Sequence, residues 1–242
     1  MEPQFRAKSN VSANRGQSVK KTVLVLCILT ACHLFLSAQV LSAQGGNRPR
    51  AVHAKQKPEV QVPAQEIPAG LITLYTNLGP KTDAYLSTDG WDITGFNSFG
   101  GSSSAFEIGL PFTPKSSSHL SQVRAALQYD GSGSNQVNFS IYSDAGGTPG
   151  TLLAGPVTVT NLPNFPSCCT LAVANFTPLA LTGGTQYWIV ANTPASGPGS
   201  DFVGVWNWNH KTLPFAGSNS VNGWVAEIGD TWPAGAVLGT IP

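Results

Sequence analysis

Apolar and polar residues alternate along most of the second half of the chain. Gln136–Ser143 puts Val137, Phe139 and Ile141 on one face and polar side chains on the other, the pattern of a half-buried strand. Further strands are predicted over Leu71–Asn77, Ser104–Phe112, His119–Tyr129, Leu152–Thr160, Thr170–Phe176, Thr185–Asn192, Phe202–Trp208 and Trp224–Ile228. Turn clusters separate them: Tyr129–Gly133, Asp144–Gly150, Leu181–Gly184 and Thr193–Gly199. Each supplies glycines that tolerate positive φ, or prolines with φ already fixed, where the chain must reverse. His119–Gln128 has helix propensity, but Val123, Ala125 and Leu127 alternate, so a strand is expected. About nine short strands with Gly/Pro turns predict an all-β fold: a two-sheet antiparallel sandwich, jelly-roll-like in connectivity.

One segment breaks the alternation. Lys20 and Lys21 lead into an apolar run of 22 residues, Thr22 to Ala43, that ends in small residues. A basic flank, an apolar stretch and a small-residue exit make a secretory signal helix. Three fates are open. Cleavage can follow Ala43, with Leu41 and Ala43 in the recognition positions. Leu29–Cys32 resembles a lipobox, which would lipidate Cys32, although His33–Leu36 stays apolar beyond it. The run is also long enough to remain as an anchor, since a span needs about 20 residues. In each case the body is exported, and only this segment contacts a membrane. The expected organisation is residues 1–43 as signal peptide or anchor, 44–70 as a Pro-rich linker and 71–242 as the β-sandwich domain. Prolines at 49, 58, 63 and 68 make the linker an extended spacer.

Charge divides at the same place. Residues 1–70 hold nine Lys/Arg against three Asp/Glu; residues 71–242 hold four against nine. A net charge near +1 therefore hides a basic leader and an acidic body. Four cations cannot neutralise many phosphates, so no nucleic-acid partner is expected.

Two of the four cysteines, Cys27 and Cys32, fall in the apolar run, which leaves the neighbours Cys168 and Cys169. Adjacent Cα atoms lie about 3.8 Å apart, short of the usual disulfide span of roughly 4.4–6.8 Å. In an oxidising compartment a vicinal disulfide is still expected, structural rather than redox-active. A redox role would require an accessible sulfur pair.

The search for catalytic chemistry yields little. The body has only His119 and His210 and no G-x-S-x-G elbow, so no nucleophilic triad is indicated. Asp83, Asp89, Asp92 and Glu107 crowd the early body, and Glu227 and Asp230 the end. Paired carboxylates can hydrolyse glycosides, but spacing alone pairs none of these. Thr82–Asp92 carries three acids and could hold a structural calcium, though it lacks the D-x-D-x-D-G pattern. No cofactor is expected otherwise, and no metal-ligand motif occurs.

The aromatics offer the best binding candidates. Trp206 and Trp208 share a strand face, with Asn207 and Asn209 on the other. If exposed, the two rings would stack on sugars while the Asn side chains held hydroxyls. If buried, they fill the sandwich core. Tyr187 and Trp188 point to opposite faces, so one of them belongs to the core.

The stretch Phe139–Leu152 with its D-x-G-G-x-P-G turn, the Cys168–Cys169 pair, Leu181–Val190 with Y-W-x-V, and Trp206–Asn209 together carry a resemblance. It is to exported bacterial β-sandwich domains called choice-of-anchor domains, the R type in particular. The likeness runs from about Leu74 to Trp232 and implies an extracellular anchored module without assigned catalysis. Such domains often end in an apolar, basic sorting tail. This chain ends Leu238–Pro242, so any anchor is expected at the N-terminus. The combined expectation is a non-catalytic, secreted or envelope-associated module for envelope structure, adhesion or glycan binding. Its partner would be a glycan or another surface protein. A secreted polysaccharide-acting hydrolase is the alternative.

Overall fold

The computed structural model describes residues 50–55, 63–98, 105–212, 215–219, 223–227 and 231–242. The signal run, with Cys32 and Ala43, lies outside the described residues. Among the described residues fifteen strands follow in chain order. They are β1 (Ala51–His53), β2 (Ile72–Thr76), β3 (Leu86–Thr94), β4 (Phe106–Phe112), β5 (Ser118–Ala125), β6 (Leu127–Ser132), β7 (Gln136–Asp144) and β8 (Pro149–Thr160). After these come β9 (Ala172–Leu181), β10 (Tyr187–Asn192), β11 (Val203–Thr212), β12 (Phe215–Asn219), β13 (Gly223–Glu227), β14 (Thr231–Pro233) and β15 (Gly235–Thr240). No α-helix occurs among the described residues.

The strands form two antiparallel sheets. The larger runs β14-β11-β3-β4-β10-β7-β8, with β1 on β3, β6 on β11 and the β12–β13 hairpin on β4. The smaller runs β2-β15-β5-β9. The main apolar core joins their facing sides. Leu120 and Val123 of β5, Ala174 and Phe176 of β9 and Val237 of β15 meet Ile108 and Leu110 of β4, Phe139 and Ile141 of β7, and Ile189 of β10. In β4, β5, β7, β9 and β10 the alternation that predicted the strand is what sends one side inward. The fold is all-β and sandwich-like, as expected.

Four local features refine these expectations. Two described parts of the stretch 44–70 lie against the body. Residues 50–53 contain no proline, and they pair with an open length of β3 (Ala51↔Trp91, Val52↔Gly90, His53↔Asp89). Farther along, buried Arg124 donates to the carbonyls of Gln65 and Glu66, both at 2.7 Å. The single strand expected over His119–Tyr129 is two. The ladder breaks at Ala126, and the chain passes from the smaller sheet in β5 to the larger in β6. The acidic stretch Thr82–Asp92, weighed as a calcium loop, runs into a strand, β3, in the middle of the larger sheet. Its acids meet basic side chains: Asp83 with His210, Asp89 with His53 and Asp92 with Arg50. Finally, β15 had no strand signal because glycines interrupt it. A Cβ at Gly239 would fall 1.9 Å from His119 O, so only glycine fits this central position.

Candidate functional site

The two faces of β11 separate structure from site. Trp206 lies opposite Trp91 across the β3–β11 ladder, and both face the core. Trp206 is 0% exposed, meets Phe139 edge-on at 6.0 Å and donates its indole N–H to Ala234 O at 2.9 Å. It presents no stacking surface to a sugar. Asn207 and Asn209 are equally buried, and the Asn207 amide donates to the carbonyls of Leu86 and Asp89. The proposed platform of Trp206, Trp208, Asn207 and Asn209 is therefore not an exposed row. The reason is that the Trp206 face of β11 is turned to the apolar core rather than to solvent. Trp208 alone stays half-exposed, 5.3 Å from Trp91 and edge-on to His53 at 5.4 Å.

On the opposite face, alternation brings Asp92 of β3 beside Val203 and Val205 of β11. Gly90 makes this possible, since a Cβ there would sit 2.4 Å from the Val205 methyl and hold the two strands apart. Strand β1 covers Asp92 from one side, and Asp130 of β6 stands at the rim on the other. Together Arg50–His53, Asp92, Asp130 and Val203–Val205 enclose a cavity of about 310 Å³. Its floor is apolar and its walls carry both charges.

Asp92 is the most constrained group in it. Its side chain accepts from the Arg50 backbone N–H and from Arg50 Nε at 3.0 Å. In return its own N–H donates to Arg50 O at 3.0 Å. Burial raises the Asp92 carboxyl above the ordinary carboxylate range, and the Arg50 bonds oppose that rise without cancelling it. Partial burial also raises Asp130. Beside the cavity, His53 Nδ1 lies 2.6 Å from Asp89 Oδ1, and Thr88 donates its hydroxyl to the other Asp89 oxygen at 2.7 Å. Hydroxyl groups, ammonium groups and guanidinium groups all match such a pocket; a phosphate faces two carboxylates and does not.

Cys168 and Cys169 are joined as the expected vicinal disulfide, and they lie 3% and 0% exposed. They pack with Tyr85, Ala126, Leu171 and Ala234 in a small second core. Gln128 holds the segment by accepting from Ser167 N–H and donating to Ser167 O, and it also donates to Tyr85 Oη. The Tyr85 hydroxyl in turn reaches Ser167 O and Thr170 O, and burial pushes it up to about 12. Withdrawn from solvent in this way, the sulfurs have the surroundings of a structural bond.

Tyr187 belongs to the main core and Trp188 to a separate patch with Val190, Tyr142 and Trp224, so the two rings do part to opposite faces. The Trp188 indole donates to Asp144, which also accepts from Gln186 and from the N–H groups of Gly146 and Gly147. The D-x-G-G turn thus works by folding its own loop around a carboxylate. Arg50 and Asp130 went unnoticed in the sequence. Arg50 lay in a stretch that read as linker and Asp130 in one that read as a turn. The available signal was the opposite charge of leader and body. In comparisons with known proteins, the chain matches no family model, no curated protein and no solved structure.

Proposed function

We propose that this is a non-catalytic exported β-sandwich module, jelly-roll-like in connectivity, that acts at the cell surface in adhesion or envelope structure. The apolar run with its basic flank supports export, as does a disulfide in the body. The resemblance of Phe139–Leu152, Leu181–Val190 and Trp206–Asn209 to choice-of-anchor domains of the R type points the same way. The observation that carries a binding role is the cavity of about 310 Å³ with Asp92 and Asp130 over an apolar floor. A glycan would present hydroxyls to the carboxylates and its ring carbons to Val203 and Val205. The glycan reading therefore moves from the buried Trp206 to this pocket.

The test is a glycan array with the full chain beside an Asp130→Asn variant. Binding that falls at least about tenfold in the variant supports the pocket, a loss of roughly 1.4 kcal/mol. Binding that Asp130→Asn leaves intact removes the glycan from this site.

The hydrolase reading keeps one specific support: two carboxylates, both raised by burial, share a pocket. Against it, Asp92 is already committed to Arg50 through both oxygens. Release of reducing sugar from a bound polysaccharide, abolished by Asp130→Asn, would replace the binding module with an enzyme.

A further inference from the structure

We infer that the β3 edge with Asp92 and Asp89 is an acceptor for a basic extended segment, and that a second copy of this chain supplies that segment by exchanging Arg50–His53. The inference rests on the reading of this pocket as the binding surface and names its partner.

The acceptor already reads such a segment within one chain. Arg50 meets Asp92 through its backbone N–H, its carbonyl and its Nε. Three residues on, His53 meets Asp89 at 2.6 Å and lies edge-on to Trp208. The Ala54 N–H adds a bond to Thr88 O at 2.7 Å. This is strand addition: main-chain bonds give attachment, and the Arg50 and His53 side chains, on opposite faces, give selectivity. The contacts select an arginine and a histidine three apart on an extended backbone, which the chain holds at Arg50 and His53.

The donor lies near the surface. Arg50, Ala51 and His53 are exposed and Val52 is half-buried, so little apolar burial fixes it. The acceptor's need is greater. Without β1, the buried Asp92 carboxylate loses its cation and this edge of β3 loses its partner. A weakly buried donor on a strongly demanding acceptor is the arrangement that exchanges between copies, since the contacts are identical in both states. Long-range attraction brings donor and acceptor together in either arrangement: residues 44–70 hold four Lys/Arg against two Asp/Glu, and the body has five more anions than cations.

The test places single cysteines at a paired register, His53→Cys in one tagged copy and Asp89→Cys in another, in full chains carrying Cys27→Ser and Cys32→Ser. His53 and Asp89 are directly opposite, within disulfide reach once both are cysteine. Exchange predicts a disulfide-linked heterodimer between the two tags. It also predicts at least about fivefold less of it when the acceptor copy carries Asp92→Ala. A single chain bearing both cysteines reports the cis pairing. Closure of that intrachain bond with no heterodimer overturns the inference, as does a heterodimer indifferent to Asp92→Ala. Glycan binding is read separately, so loss of exchange with Asp130-dependent glycan binding intact would remove this partner and leave the pocket.

Discussion

Two segments are fastened to the larger sheet by polar side chains, and they are fastened differently. The Ser167–Thr170 turn is held from within, by Gln128 and Tyr85, with its disulfide out of water. The Arg50–His53 strand is held from outside, by Asp92 and three paired residues, with most of its atoms in water. The neighbouring tryptophans of β11 divide the same way. Trp206 bonds to Ala234, which packs against the disulfide, whereas Trp208 meets the outer strand through His53. A polar contact sealed inside apolar packing fixes a structure. The same kind of contact at the surface leaves its segment free to open, which is what a binding edge needs.

The widest contrast is expected between the two tryptophans. Trp206→Ala removes a fully buried ring and should cost about 4 kcal/mol in urea unfolding. Trp208→Ala, from a half-exposed position, should cost about half as much. Equal losses would erase the distinction between the two ends of β11. Gln128→Ala comes next. It strips partners from Ser167 N–H, Ser167 O and Tyr85 Oη, and about 3 kcal/mol should be lost. Arg50→Ala should cost only about 1 kcal/mol, because the guanidinium is two-thirds exposed and solvent screens the pair. Its larger effect should be faster proteolysis around Arg50, with the disulfide turn still protected.

The smallest effect is a pH dependence. A carboxyl raised in the folded state binds protons more readily there than when unfolded, so its contribution improves as pH falls toward the unfolded value. Asp92 is raised by burial, and the wild type should therefore gain stability relative to Asp92→Asn as pH is lowered through the carboxylate range. Asp144 works in the opposite sense. Burial alone would raise it, but the bonds from Trp188, Gln186, Gly147 and Gly146 hold it below the usual range. The stability it gives is lost as pH falls. Urea midpoints from pH 7 to 4 for Asp92→Asn and Asp144→Asn should separate the two trends.

Much of the fold was legible because a half-buried strand writes its geometry into alternation. Val137, Phe139 and Ile141 announced β7, and Tyr187–Asn192 announced β10. The missing strands lacked that mark for definite reasons. β3 carries Asp89, Gly90 and Asp92, which read as a loop until a basic strand and a close neighbour account for them. β15 is glycine-broken because its neighbours approach too closely for a Cβ. β1 is only three residues long, and its partner lies 36 or more residues away in sequence. The site was hidden for the same reason: Asp92, Asp130 and Val205 come from three strands and Arg50 from the residue before a fourth, and only their register brings them together. The direction of Trp206 could not be read either, since alternation pairs it with Trp208 on a face without saying which face is wet.

The most direct test of the central claim is native-state hydrogen exchange on the two fastenings. The Asp92 and Ala54 amides make the bonds that flank β1, while the Ser167 amide holds the disulfide turn and the Tyr129 amide holds the loop before it through Pro163 O. The account predicts that Asp92 and Ala54 exchange by local opening, with protection at least about tenfold below that of Ser167 and Tyr129, which should exchange only on global unfolding. Equal protection at all four amides would contradict it. The outer strand would then be as fixed as the core, and β3 would offer no edge for a partner to bind.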